Sequence, residues 1–524
     1  MRALLTSARA EKAGVAAALL SGILYFLGFC GFGIHQLVWI ALVPWMVWHQ
    51  WRQPHGRLAL GTAWLMGFTA HLGGYYWITY MLENFGHLPI PVAYFLYALL
   101  CIAQSSLFGL WGYVSNWFCA RGMPLWLAAA LILPVAEWLY PALFPSYLAN
   151  GLYRQLTLIQ SASIWGVLGL SFIVMLVNGA LATTLHALLA GTAQRNWSVW
   201  ALPCSVALVA VVGNYFLGTQ LLANTEAEIQ AAEARQSDIR IGTVQSNMGI
   251  FEKRQQPTEG HKRHLALSRT LEKKGADLIV WPESGYFFPL RRGRKNLQAR
   301  VSQDLSTPLL FGGVSFDRDK DGKNSKIWNT AYLTDAKGEV LGTYDKTYLL
   351  AFGEYIPFGD WFPFLYKISP NTGKFTKGTH TNPLVLNNIK YGVLICYEDI
   401  LPHFVLDAMR HQPDVLINIT NDAWFGDTHE PVIHLALATF RSVEHQRYLV
   451  RSTNTGISAM ISPTGEIFRE SGTFTQETLL GTVYPLSTQT PYSRFGNWFG
   501  WLNLVILVFS GGWLYRTQLR GKTV

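Results

Sequence analysis

The sequence predicts a polytopic α-helical membrane protein with one α/β domain inserted toward its C-terminal end, and three observations predict it. Only 14% of the 524 residues are charged, while 50% are hydrophobic and 20 are Trp; soluble domains carry roughly 25% charge. The apolar residues are unevenly spread: charges are sparse over 14–222, the stretch 237–485 has an ordinary soluble composition, and 498–515 is apolar again. Within the polar stretch, short β-like runs alternate with helix-like ones, the pattern of an α/β domain.

Taking the elements in order, a membrane span needs roughly 20 apolar residues. Eight candidates meet that need, at about 14–33, 36–51, 58–81, 90–117, 124–143, 157–190, 198–221 and 497–515. The expected organisation is a seven-span region over 1–222, a domain over 237–486, and a final span over 497–515 with a tail at 516–524. The first apolar segment follows Arg2, Arg9 and Lys12 without a small-residue cleavage site, so it reads as a retained span rather than a removed signal. Basic residues set the orientation. With a cytoplasmic N-terminus, one side collects Arg2, Arg9, Lys12, Arg52, Arg57, Arg121, Arg195, Arg516, Arg520 and Lys522, and the opposite short loops hold only Arg154. Both termini are then cytoplasmic. The domain between spans seven and eight is extracytoplasmic, which in a double-membraned bacterium means periplasmic.

The net charge of +9 is partly those flanks. Arg291, Arg292, Arg294 and Lys295 suit either anionic headgroups or a solvated loop, and no nucleic-acid module is visible. Glu137 is the sole acidic residue deep in an apolar stretch. A carboxylate there is either functional or hydrogen-bonded between helices. Without a path of several charges, a pump is disfavoured.

In the polar stretch, DIRIGTVQSN, a helical 262–274 and ADLIVWPES form a strand–helix–strand unit. PLLFGGVSF, WNTAYLTD and GEVLGTYDK are further strands, with turn signals at Asp321-Gly322 and Lys337-Gly338. YGVLICYED opens a strand–helix unit ending near Arg410, and VLINITNDAWFG repeats the theme. A helix over 431–448 precedes RSTNTGISAMISPTG, a strand pair with a turn at 463–465.

Three strand ends carry reactive groups. WPES puts Glu283 after an apolar run; YDKTYLLAFGEY puts Lys346 after a strand with Glu354 eight residues on; ICYE holds Cys396, Tyr397 and Glu398. Taken singly, a glutamate there is most often a solvated end or helix cap, a lysine is solvated, and a lone cysteine is a small buried hydrophobe. Together they bring carboxylate, ammonium and thiol to strand C-termini of one α/β domain, where active sites of such folds lie. Cys396 is the only cysteine of the polar stretch. In an oxidising compartment a free structural thiol is a liability, which favours chemistry. A helix starting after the cysteine is expected to lower its pKa.

WPE, YDKxxLxxFGEYxP and ICYE resemble the motifs of the nitrilase (carbon–nitrogen hydrolase) superfamily, whose triad is Glu–Lys–Cys. With the eight spans, the NDAWFG and RSTNTGISAMISPTG segments, LVPW in span two and VNGALA in span six, the whole chain resembles the bacterial apolipoprotein N-acyltransferase family. The resemblance implies a nitrilase-like αββα sandwich in which Glu283 is the base, Lys346 the triad lysine and Cys396 the nucleophile. Glu354, Tyr397 and Glu398 match further residues on which that family's activity depends. It implies acyl transfer from a phospholipid, typically phosphatidylethanolamine, through a cysteine thioester to the α-amino group of the S-diacylglyceryl cysteine of apolipoproteins. A monomer in the inner membrane with ping-pong kinetics is expected. So are no cofactor and no metal, since the histidines lack ligand spacing. One departure stands out: Asn247-Met248-Gly249 replaces the family's usual Asn-Ile-Pro, with no tryptophan until Trp281.

Tyr286, Phe287 and Phe288, and Trp361, Phe362, Phe364 and Leu365, are expected either to dip into the membrane interface or to pack within the domain. Trp424 and Phe425 either shield the thioester from water or belong to the core. A membrane-bound amidase or nitrilase acting on a small C–N substrate shares the triad but needs only one span. A transporter or scaffold whose outer domain only binds lipoproteins would leave Cys396 dispensable.

Overall fold

Each apolar segment contains a helix in the computed structural model, which describes residues 7–192, 197–318, 325–351, 353–368 and 372–520. The Asp321-Gly322 turn, the basic residues Arg2, Arg195 and Lys522, and the side chain of Leu365 lie outside the described ones. Among the described residues, five helical stretches are long and apolar enough to cross a membrane: Glu11–Gly28, Ile90–Cys119, Ala162–Leu189, Ser198–Ala234 and Trp498–Arg520. Val43–Arg52 and Leu125–Leu139, at 10 and 15 residues, are shorter than a bilayer crossing needs.

The chain divides into two compact units, one of residues 1–79, 90–222 and 494–524, the other of 80–89 and 223–493. The short stretch 80–89 thus belongs with the polar unit, although it lies between apolar segments in sequence.

The helical unit is held by small residues and by buried polar side chains that bridge helices, the usual means where burial alone supplies little drive. Asn178 of the VNGALA segment accepts from the Leu42 N–H at 2.9 Å and donates to the Val38 carbonyl at 2.9 Å. Trp45 of LVPW donates its indole N–H to Thr62 Oγ1 at 3.0 Å and packs on Trp111. Glu137 is buried, and its Oε1 accepts the Leu148 N–H at 2.7 Å. It bonds to the chain that follows its own helix.

The polar unit is built on two sheets. The strands are β1 (Ile239–Gln245), β2 (Leu278–Val280), β3 (Tyr286–Arg291), β4 (Leu309–Arg318), β5 (Ser325–Thr334), β6 (Val340–Asp345), β7 (Leu384–Leu386), β8 (Ile389–Ile395), β9 (Val415–Thr420), β10 (Leu449–Thr453), β11 (Ala459–Ile461), β12 (Ile467–Glu470) and β13 (Glu477–Val483). One sheet runs β13-β1-β2-β4-β5-β6, with β3 also paired to β4; the other runs β12-β11-β10-β9-β8-β7. The central pairs β1–β2, β2–β4, β8–β9 and β9–β10 are parallel. Both faces are covered, so LIV is an unbroken apolar run and VLINIT, although it holds Asn418 and Thr420, is buried throughout.

Helix Pro257–Lys273 covers the first sheet, while Pro402–Met409 and Glu430–His445 cover the second. The sheets meet at β1 and β10, where Ser452 Oγ donates to the Val280 carbonyl at 3.1 Å. This is the four-layer α/β arrangement. Tyr286 and Phe288 take the packing alternative: they lie on β3, and Tyr286 is buried against Phe311 and His261. Alternation of aromatic residues in YFFPLR suits a strand equally well.

Candidate active site

Every parallel strand ends at the same edge of its sheet, and three strand ends bring Glu283, Lys346 and Cys396 into one buried cluster. Glu283 follows β2 by three residues, Lys346 follows β6 directly, and Cys396 follows β8 directly. Two of these turns are conformationally special. Cys396 has φ +54° and Ser284, next to Glu283, has φ +52°. Left-handed backbone at non-glycine residues costs about 1–3 kcal/mol and concentrates at functional turns. The Glu283 turn also needs Gly312 on β4: a Cβ there would come within 2.8 Å of Glu283 Cα and 2.9 Å of Ser284 N.

Lys346 lies between two carboxylates. Its Nζ is 2.9 Å from Glu354 Oε2 and 3.6 Å from Glu283 Oε1, with all three side chains nine-tenths or more buried. Asn329 on β5 spans the same acids, its Nδ2 donating to Glu283 Oε1 at 2.7 Å and to Glu354 Oε1 at 2.9 Å. Glu354 Oε2 also accepts the Leu350 N–H at 2.8 Å, which closes the loop between Lys346 and Glu354. The Cys396 thiol and Glu283 are close enough to act on each other's proton: Cys396 lowers the Glu283 pKa, and Glu283 raises that of the thiol.

Glu398 does not pair with Lys346. It is fully buried and accepts the N–H groups of Thr347 (2.7 Å), Tyr348 (2.8 Å) and Ile395 (2.8 Å) and the Tyr344 hydroxyl (2.8 Å). It therefore ties the backbone after Lys346 to the backbone before Cys396. Tyr397 stacks on Tyr348 with ring centroids 5.9 Å apart, across the same seam.

Electrostatics follow from this burial. Burial works against the Lys346 charge, but Glu354, Glu283 and Cys396 outweigh it and hold the ammonium above the ordinary lysine range. Burial raises the Glu283 pKa, with Lys346 opposing. Burial and the nearby Glu283 also push the Cys396 thiol up, while Lys346 and the Thr420 side chain pull it down. The expected lowering by a helix N-terminus is thus corrected. The cysteine opens only a five-residue 3-10 turn, Cys396–Ile400, too short for a helix field, and it is enclosed. The raised Glu283 carboxyl is a stronger base than an ordinary carboxylate, while the raised thiol holds its proton more tightly than an ordinary cysteine. Burial pushes Glu398 up to about 7 in spite of its donors.

Behind the cysteine turn lies a second buried cluster. His434 donates from Nε2 to Asp399 Oδ1 at 2.8 Å and from Nδ1 to Asp422 Oδ1 at 3.2 Å. Arg451 reaches Asp399 Oδ2 at 2.6 Å, Asp422 Oδ2 at 3.1 Å and Asn418 Oδ1 at 3.0 Å. Burial and Arg451 disfavour the imidazolium, but the two aspartates outweigh them and hold His434 at about 10. Asp422, Glu430 and His434 place ligand-type atoms within 4.8 Å of one another. Because His434 donates through both nitrogens, it keeps no lone pair for a cation.

Sequence reasoning missed Asn329, Asn418, His434 and Arg451. Each lies in a strand or helix whose apolar periodicity carries no mark of a site. Lys253, also missed, is buried with its Nζ 4.9 Å from the Phe287 ring centre. In NDAWFG, Phe425 is buried, while Trp424 is partly exposed and packs on Phe85.

Residues 240–492 match the carbon–nitrogen hydrolase family model, which gives the class of the polar unit. Residues 21–180 match a second model, the apolipoprotein N-acyltransferase N-terminal domain. Apolipoprotein N-acyltransferases of Geobacter metallireducens and Bdellovibrio bacteriovorus are 30% and 29% identical to this chain. The first alignment covers 92% of both chains; the second covers 97% of this chain and 94% of the other. A Saccharomyces cerevisiae member of the nitrilase superfamily has a TM-score of 0.38 at 17% identity, covering 50% of this chain and 95% of its own. The chain belongs to the apolipoprotein N-acyltransferase family.

Proposed function

We propose that this protein is a membrane-embedded acyltransferase that moves a fatty acyl chain from a phospholipid to apolipoproteins. The acceptor is the α-amino group of their S-diacylglyceryl cysteine, and the acyl group rides on Cys396 as a thioester. The observation that carries the reading is the buried row Glu283–Lys346–Glu354 beside Cys396. It supplies a base, a permanent cation and a thiol in one enclosed place.

Glu283 takes the thiol proton, and the thiolate attacks the ester carbonyl. Lys346 meets the oxyanion that develops; one such donor is typically worth about 3–4 kcal/mol. Collapse releases the lysophospholipid, whose alkoxide takes the proton back from Glu283. Glu283 then removes the proton of the incoming amine, and a second tetrahedral intermediate expels the thiolate. Two half-reactions of this kind give ping-pong kinetics. Phosphatidylethanolamine is the proposed donor, and no cofactor takes part.

The membrane setting supports lipid substrates over a small amide. Phe358, Trp361, Phe362 and Phe364 follow Glu354 in sequence and each exposes more than half its surface, as side chains suited to a bilayer interface do. We place the protein in the inner membrane with a periplasmic catalytic domain and cytoplasmic termini, on the basic-residue asymmetry of its loops.

Mass spectrometry of the full-length protein incubated with phospholipid vesicles tests the chemistry. A Cys396 peptide carrying one hydroxylamine-labile acyl group is expected. Its absence from an active preparation would sink the covalent route. Release of ammonia from small amides would favour a membrane-bound amidase instead.

A further inference from the structure

We propose that Thr420 is a further catalytic residue, whose hydroxyl takes up a hydrogen bond to the Cys396 sulfur when the thiolate forms. This rests on the reading of Cys396 as nucleophile. The parallel ladder between β8 and β9 ends at the pair Ile395–Ile419. Cys396 and Thr420 are therefore the next residues out, side by side at the edge where the site forms. Thr420 is fully buried, so its hydroxyl must have a partner inside the protein.

Its geometry offers two partners and one proton. Thr420 Oγ1 donates to Asp422 Oδ1 at 3.2 Å, longer than an ordinary hydroxyl-to-oxygen hydrogen bond. That carboxylate has other donors: His434 Nδ1 at 3.2 Å on the same oxygen and Arg451 Nη2 at 3.1 Å on the other. With an imidazolium and a guanidinium already on it, Asp422 does not depend on the threonine proton. Rotation about the C–O bond turns that proton toward Cys396, its neighbour beyond the end of the ladder, where a hydrogen bond to sulfur would favour the ionised thiol.

The cysteine cannot drift away from the hydroxyl, because Asn418 Nδ2 donates to the Cys396 carbonyl at 3.2 Å while its Oδ1 is held by Arg451. Asn418, Arg451 and Asp422 are positioning residues in this scheme. The charged groups facing the sulfur are Glu283 after β2, Lys346 after β6, Asp422 after β9 and Arg451 on β10.

The step balances simply. The S–H bond breaks, its proton goes to the Glu283 carboxylate, and the electron pair stays on sulfur. The Thr420 O–H bond remains intact and only swings from Asp422 to sulfur. When the thiolate attacks the ester, the charge passes to the oxyanion beside Lys346 and the hydroxyl returns to Asp422.

The test compares Thr420→Val, which keeps the branched shape of the side chain, with Thr420→Ser, which keeps the hydroxyl. Both are made in the full-length protein in detergent micelles. Iodoacetamide alkylation of the Cys396 peptide, followed by mass spectrometry across pH, reads thiolate formation directly. A hydrogen bond to a charged group predicts alkylation about tenfold slower at neutral pH in Thr420→Val, with Thr420→Ser close to the unaltered protein. Thr420→Ala serves in the same way should the valine variant fail to fold. Equal alkylation profiles with and without the hydroxyl overturn the proposal. If Cys396 still acquires an acyl group in the unaltered protein, only the role of Thr420 falls. If it never does in an active preparation, the nucleophile assignment falls with it.

Discussion

Asn329 spans Glu283 and Glu354 through a single amide nitrogen, sharing Glu283 Oε1 with Lys346 and taking the Glu354 oxygen that Lys346 does not use. Its N–H favours the ionised form of Glu283. In Asn329→Ala that donor is gone, Glu283 becomes harder to ionise, and the acid limb of the pH–rate profile should move to higher pH. An unmoved limb, with acyl transfer measured on a lipopeptide acceptor, would remove Asn329 from the mechanism. For Lys346→Met, acyl transfer should fall by about 10²–10³ through loss of the oxyanion donor. The thermal midpoint should fall too, because two buried carboxylates then face each other without a cation. Full turnover in that variant would exclude the lysine. Cys396, Glu283 and Lys346 were legible in the sequence because each is a reactive type set at a strand end. Asn329 was not, because an asparagine inside WNTAYLTD looks like any polar residue on a strand face.

Among the elements, the turns after β2 and β8 decide where the reactive groups point. A Cβ at residue 312 would strike the backbone of Glu283 and Ser284, so Gly312→Ala must push the base outward. A displacement near 1 Å costs on the order of 10²-fold in rate, and retained activity would show that the turn adapts. Glu398 links two elements by accepting three backbone N–H groups. In Glu398→Gln the amide end turns a donor toward other donors. A loss of about 2–3 kcal/mol is expected, the cost of leaving buried donors unmet. Denaturant unfolding monitored by tryptophan fluorescence checks this, and an unchanged midpoint would refute it. Strands β2 and β8 were legible because apolar runs lead into the reactive residues Glu283 and Cys396. The short strands β3, β7 and β12 were not, since three to six residues carry too little pattern to separate a strand from a loop.

At the scale of the whole molecule, the buried charges behind Cys396 balance one another. Asp399 and Asp422 meet the imidazolium of His434 and the guanidinium of Arg451. His434 is held at about 10, against an ordinary 6.5. The folded value is the higher one, so the stabilisation is complete below about 6.5 and drains away as pH rises toward 10. The thermal midpoint of the full-length protein in micelles should therefore drop over that interval, by on the order of 5 °C. His434→Gln should flatten the drop. The same slope in both proteins would place the pH sensitivity elsewhere.

The sequence by itself determined that the chain is mostly apolar helix with one α/β domain inserted, and which residue types stand at its strand ends. Composition and periodicity carry that information because each is a property of a short stretch and its solvent. Only the tertiary structure decided that Lys346 is shared by two carboxylates, that Glu398 braces backbone rather than the lysine, and that β9 and β10 supply the support behind Cys396. Those facts depend on which strand ends become neighbours, and that is set by sheet order and register between residues far apart in the chain.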